Sequence, residues 1–349
     1  MLRKTPVLLS VALAAALMGT TACGKSGGSS SGGTGGDKGK QTVGLDFPRS
    51  DSDFWNSYTK YVPQMADQLG VKLTTTNSQN DVTKLIANVN AMVSQGAKAI
   101  VMAPQDTGAI ASTLETLASK NIPVVSVDTR PDKGKVYMVV RADNRAYGQK
   151  ACDFLGQKLG GKGTLIEFEG DLKSVNGRDR SEAFGECMKS KFPGINVIAA
   201  PTDWKGEEAF KALNAALAQH PDLKGIYMQA GGVFLAPTLQ LLKSKGLLVK
   251  PDDPKHIFIV SNDGLPQEYE AIRNGDIDAT VSQPADLYAK YGLFYAQQAL
   301  LGKTFSPGKT DHDSNIVDVG NGLEDQLAAP LVTKENVDDK SLWGNQIGK

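Results

Sequence analysis

The sequence is poor in the residues from which most catalytic and metal centres are built. Among 349 residues there are three cysteines and three histidines, too few for a disulfide framework or a clustered zinc site. His220 and His256 stand apart, and His312 lies in the acidic stretch Asp311-His312-Asp313, which reads as a surface loop. Neither sign of charge is in excess: 38 Lys and Arg face 38 Asp and Glu, so the basic footprint that a nucleic-acid partner requires is missing. Long apolar runs are missing too, since Val7 to Met18 spans twelve residues, short of the ~20 of a membrane-crossing helix. No nucleophile, base and orienting group gather in one motif, which leaves no enzymatic reading and calls for neither cofactor nor metal. Gly156 to Lys162 imitates a phosphate-binding loop, but Gly163 stands where a magnesium-binding hydroxyl belongs, and the stretch runs from helix to strand, the reverse of the required order.

What the chain does have begins with an address. Arg3 and Lys4, the apolar run and the small residues Thr20-Thr21-Ala22 before Cys23 predict an export signal over 1–22. The tetrapeptide ending at Cys23 resembles a bacterial lipobox. That resemblance implies a diacylglyceryl group on Cys23 and a protein anchored to the outer face of the cell membrane; ordinary secretion with cleavage nearby is the alternative. From Gly24 to Lys40 eight of seventeen residues are Gly and four are Ser, a flexible tether with an average reach of about 20–25 Å. In an oxidising extracytoplasmic compartment Cys152 and Cys187, each on a predicted helix flanking one strand, either pair or remain two separate buried thiols.

Downstream, short β-branched runs alternate with longer helical periods, the pattern of an α/β protein with parallel sheets. Strands are predicted at 42–45, 71–76, 99–102, 124–127 and 136–140. The series then restarts with a helix at 146–159 and strands at 164–168, 195–199 and 225–229. Two doubly wound parallel-sheet lobes of similar size account for this, and ligands of such sheets sit beyond the carboxyl ends of the strands. The residues following the strands are therefore the candidate site: Ser52, Phe54 and Trp55; Gln105; Asp128; Arg178; Trp204; Asp263; and Gln283. Carboxylates, amides, guanidinium and flat aromatics together suit a small polyhydroxylated solute, whose hydroxyls need donors and acceptors and whose C–H faces need a platform. Bland readings stand beside these. Phe54 and Tyr58, four apart, also fit a buried helix face, Asp128 and Asp263 also fit helix caps or turns, and Arg180, more than Arg178, reads as a surface charge.

At these positions the chain resembles the type I periplasmic binding proteins of the ribose/galactose class, solute receptors of bacterial ABC importers. The resemblance runs from Gln41 to Asp338 and rests on Phe54-Trp55, Asn77 to Asp81, Ile122 to Asp128, Asp143-Asn144, Arg178 to Phe184, Asn262-Asp263-Gly264, Ala279 to Gln283 and Pro330 to Val337. It implies aromatic stacking by Phe54, Trp55 and Trp204, and hydroxyl recognition by Asp128, Arg178, Asp263 and Gln283. The implied partners are a sugar-like solute, a permease and its ATPase subunits. It also implies a hinge of three crossings, near Arg141 to Asp143, Gln283 to Ala285 and Lys309 to Asp318. The lobes would then comprise 41–142 plus 284–310 and 143–283 plus 311–349. The chain departs from the class at Ala103, Thr129 and Ala230-Gly231, which points away from ribose itself. A receptor for a chemosensory or two-component system, with a non-sugar or autoinducer ligand, would present the same cleft. A secreted sugar-processing enzyme would need a pair of suitably spaced carboxylates instead.

Overall fold

The computed structural model describes residues 41–347; the export signal, Cys23 and the tether fall outside the described residues. Five strands, β1 (Thr42–Phe47), β2 (Lys72–Asn77), β3 (Ala99–Met102), β4 (Val124–Val127) and β5 (Met138–Ala142), alternate with helices α1 (Asp53–Leu69), α2 (Val82–Ser94) and α3 (Ala111–Ser119). They pair in parallel in the order β5-β4-β3-β1-β2. β3 and β4 are buried throughout because helices cover both faces of the sheet, as expected for continuous apolar strands. The period of two decides which helix each residue meets. Ala99 and Val101 join the core under α1 and the later helix α9 (Ala285–Leu300), while Ile100 and Met102 pack on α2 and α3.

The second lobe repeats the plan with α4 (Asn144–Lys158), β6 (Lys162–Glu169), α5 (Val175–Lys191), β7 (Gly194–Pro201), α6 (Gly206–Gln219), β8 (Leu223–Met228), α7 (Gly231–Ser244), β9 (Phe258–Asp263), α8 (Pro266–Asn274) and β10 (Ala279–Ser282). α4 and α5 cover one face of its sheet; α6, α7 and α8 cover the other. Gly148 lets α4 and α5 approach closely, since a Cβ there would meet the Arg180 carbonyl and the Phe184 amide. Cys152 and Cys187 are joined across the same helix pair as a disulfide, resolving the alternative the sequence left open.

The tail departs from the expected division. β11 (Gly308–Lys309), β12 (Asn315–Asp318) and β13 (Leu323–Leu327) all belong to the first sheet, where β13 lies parallel to β5. Residues 311–327 were expected in the second lobe. Of the tail strands only β14 (Leu331–Thr333) joins the second sheet, antiparallel to β10. The third crossing is thus 328–330 instead of Lys309 to Asp318. β13 is hard to see in sequence because Glu324 and Asp325 read as loop, yet both are buried. Glu324 faces Arg130 and Arg141; Asp325 accepts from Tyr295 at 3.0 Å and from Ser314, and lies 2.8 Å from His312 Nε2. His312, expected at the surface, stacks on Tyr291 with ring centroids 3.8 Å apart. The crossings support one another: the Ala142 amide donates to the Tyr288 hydroxyl at 2.9 Å, and the Ser282 amide donates to the Pro330 carbonyl at 2.9 Å.

Candidate functional site

The carboxyl ends of both parallel sheets face each other, and the loops that follow the strands line one shared cavity. From the first lobe come Arg49, Ser52, Phe54 and Trp55 after β1, Gln105 after β3 and Asp128 after β4. Ser52 is the N-cap of α1, which places Phe54 and Trp55 on its first turn. Their rings meet edge to face at 5.3 Å and are nearly buried, so Phe54 packs as a buried helix residue and lines the cavity as well. Asp128 adopts a left-handed backbone (φ 63°), a conformation that Asp and Asn tolerate better than most residues. The turn is pinned by Ser126 Oγ donating to the Thr129 carbonyl at 2.6 Å.

From the second lobe come Ser174 at the N-cap of α5, Asn176 and Arg180 on α5, Trp204 after β7, Ala230 and Val233 at the start of α7, Asp263 at the end of β9 and Gln283 after β10. Residues four apart on a helix share a face and residues two apart do not. Asn176 and Arg180 therefore both enter the cavity, and Arg178 does not. The expectation is corrected here: Arg178 turns outward to the Leu172 and Lys173 carbonyls and to Asp132. Arg180, assigned to the surface from sequence, is 2% exposed. Its guanidinium lies over the rings of Tyr147 at 4.9 Å and Trp204 at 5.7 Å. It donates to Asn144 Oδ1 at 2.6 Å, to Gln283 Oε1 at 3.3 Å and to the Gln229 carbonyl. The i, i+4 spacing of Asn176 and Arg180 was the available signal. Arg49, which offered none, reaches the cavity because Asp51 holds its guanidinium, and it donates across the cleft to the Trp204 carbonyl at 3.4 Å.

Trp204 sits at φ 56° with its ring against Gly170, where any Cβ would overlap it. Asp263 accepts from the Gly232 amide and from Gln283 Nε2, both at 2.7 Å. Asp128 accepts from Asn176 Nδ2 at 3.0 Å, a bond that itself crosses between lobes, and Arg141 holds Asn176 Oδ1 at 2.8 Å. Burial pushes the Asp128 carboxyl up to about 6 against the pull of Arg180, Arg141 and Asn176. Burial raises Asp263 as well, opposed chiefly by Arg180. Two lining atoms, Asp128 Oδ1 and Trp204 Nε1, are buried without a partner among the described residues, one an acceptor and one a donor. Farther out, Thr107 bonds the Lys173 carbonyl at 3.0 Å and Gln267 bonds Asp53 at 3.4 Å, so the two lobes meet on both flanks of the cavity. All the expected contact residues except Arg178 line one space.

A two-lobed α/β frame with a polar, aromatic-faced cavity between the lobes defines a solute-binding protein, and the chain belongs to the periplasmic binding protein family: residues 43–304 match that domain. This is an extracytoplasmic family whose members bind solutes for transport and are not enzymes. The chain is similar to the ribose import binding protein RbsB of Haemophilus influenzae, 29% identical over 266 residues, covering 76% of this chain and 87% of that one. It is also similar to the xylitol-binding protein of Mycolicibacterium smegmatis, 26% identical over 77% of this chain and 70% of that one. Its fold matches the binding protein of the arabinose ABC transporter from Shewanella sp. ANA-3, with TM-score 0.74 at 21% identity over 88% of this chain and 96% of that one. Among the described residues no helix is long and apolar enough to cross a membrane.

Proposed function

We propose that this protein is the receptor of an ABC importer for a neutral monosaccharide or polyol, tethered to the outer face of the cell membrane through a lipid on Cys23. The observation that carries the reading is the pairing of two unpartnered, opposite-character atoms, Asp128 Oδ1 and Trp204 Nε1, on facing walls of one small cavity. A solute with several hydroxyls supplies a donor to the first and an acceptor to the second. Phe54, Trp55 and Trp204 offer platforms for C–H faces, and Ser52, Gln105, Asp128, Arg180, Asp263 and Gln283 supply the polar contacts. The charge of Arg180 acts on both Asp128 and Asp263 and is offset by them, which suits a neutral solute better than an anion. Ala230 and Val233 offer no polar side chain, so the solute edge facing α7 is recognised by shape. The names of the ribose and xylitol relatives support the class and leave the solute open.

Only the closed arrangement makes both sets of contacts, so solute binding drives closure, and a permease with its ATPase subunits receives the closed form. The test is a calorimetric and thermal-melt screen of the purified protein against pentoses, hexoses, polyols and nucleosides. Saturable binding of a sugar or polyol, adding about 2.7 kcal/mol at 100 times its dissociation constant, is the expected result. Binding confined to nucleosides or other non-sugar compounds overturns the solute class.

A further inference from the structure

We infer that Trp343 is a strap residue, carried on the second lobe and inserted into the first, that couples the two walls of the cleft and biases the lobes toward closure. The segment after β14, 334–347, is fastened to the second lobe. Arg273 of α8 donates to Asp338 at 2.7 Å, to Asn345 Oδ1 at 2.9 Å and to the Val337 carbonyl at 3.0 Å. Asn345 Nδ2 returns bonds to the Val337 and Asp339 carbonyls, each at 2.8 Å. Gly344 lies flush against the Gly264 carbonyl and the Tyr269 ring, with no room for a side chain.

From this base Trp343 reaches inward and is 3% exposed. Its ring packs edge to face on Phe54 with centroids 6.1 Å apart, and Phe54 packs in the same way on Tyr288 at 6.0 Å. The indole thus belongs to the aromatic core of the first lobe. Its Nε1 donates at 3.2 Å to the Asp263 carbonyl, which also accepts from the Gln283 amide at 3.0 Å. Asp263 has φ 118° and Gly264 has φ 76°, a turn whose shape rests on such bonds. Phe54 and Asp263 line the cavity from opposite lobes, whereas Trp343 does not line it and touches both from behind. Separating the walls requires the indole to give up the packing on Phe54 or the bond to Asp263, so the tail opposes opening. Trp343 lies beyond the matched 43–304 domain, outside the part of the chain that defines the family.

The inference requires two lobes and not a particular solute, so it is tested with no solute present. Spin labels at Glu115→Cys on α3 and Lys211→Cys on α6, both exposed positions, report the distance between lobes by pulsed electron resonance. Trp343→Ala should shift and broaden the distribution toward longer distances. Trp343→Phe, which keeps an aromatic ring against Phe54, should restore most of the original distribution. Trp343→Ala with distances identical to the parent overturns the inference. If Trp343→Ala does not fold, Trp343→Leu is measured under the same criterion, and failure of both to fold also overturns it, because Trp343 would then be a folding residue and not a strap.

Discussion

Asp128→Asn should make this protein more stable and a weaker binder at once. Asn tolerates the left-handed backbone that Asp128 occupies at φ 63°. Its amide oxygen can still accept from Asn176 Nδ2, now 3.0 Å from Asp128, so the substitution removes charge and little else. Burial raises the carboxyl from 3.8 to about 6 in the folded protein, while in the unfolded chain it keeps its ordinary value. Between those values the folded state binds more protons than the unfolded state. The ionised carboxylate therefore subtracts stability above about pH 6, and stability returns as pH falls toward 4. The full shift corresponds to about 3 kcal/mol, and since Asn must also be desolvated, a gain of about 2 kcal/mol at pH 7.5 is expected. Each kcal/mol raises Tm by about 2–4 °C for lobes of this size. Against that gain, loss of a charge-assisted bond of about 1.5–3 kcal/mol weakens solute binding roughly 10- to 150-fold. Urea unfolding of the solute-free protein from pH 4.5 to 8, with calorimetry on the solute found by screening, measures both. A variant less stable than the parent at pH 7.5, or with the parent's pH dependence over pH 4.5 to 6.5, would refute the reasoning.

Arg180→Ala should abolish measurable binding, whereas Arg178→Ala should change affinity only a few-fold, through the lost Asp132 bridge; titration calorimetry of the pair decides between the two arginines. His256 is held at both ring nitrogens, by the Val249 carbonyl at 3.1 Å and by Asp278 at 3.0 Å. Burial alone would lower its pKa, but the Asp278 bond and charge raise it on balance. Its stabilisation is accordingly complete below the ordinary histidine pKa and lost as pH rises through the raised one. Melting curves from pH 5.5 to 9 should show that loss, and His256→Gln should remove it. Replacing Cys152 and Cys187 together by Ala opens a closure of sequence separation 35, a loss of about 3–4 kcal/mol in the chain-entropy picture; an unchanged unfolding midpoint would contradict it. Gly148→Ala should cost about 1–3 kcal/mol and weaken binding as well, because the methyl meets the backbone of Arg180 itself.

The local pattern was sufficient where a residue's neighbours are its own strand or helix. β3, and β4 apart from its buried Ser126, were legible as apolar runs, because helices cover both faces of the sheet. The site was legible as far as the rule that loops after parallel strands converge, which gathered Phe54, Trp55, Gln105, Asp128, Trp204, Asp263 and Gln283 in one cavity. Helix phase, also local, was available but read wrongly: Asn176 and Arg180 share a face that Arg178 leaves.

Other features depend on groups distant in the chain. β13 looks like a polar loop until Arg130, Arg141, Tyr295 and His312 are placed around its carboxylates. Cys152 and Cys187 became a pair only once two helices, close-packed at Gly148, fixed their separation. Arg49 is a cavity residue because a carbonyl in the other lobe stands opposite it, and Trp343 bridges two walls because the tail folds back 80 residues in sequence to reach Asp263. The sequence by itself determined the α/β class, the two lobes and most of the polar inventory of the cleft, since these follow from periodicity and from residue chemistry. Which carboxylates are buried, which arginine faces the cavity and what holds the lobes together were decided by tertiary structure, because desolvation and long-range pairing exist only once the chain has closed on itself.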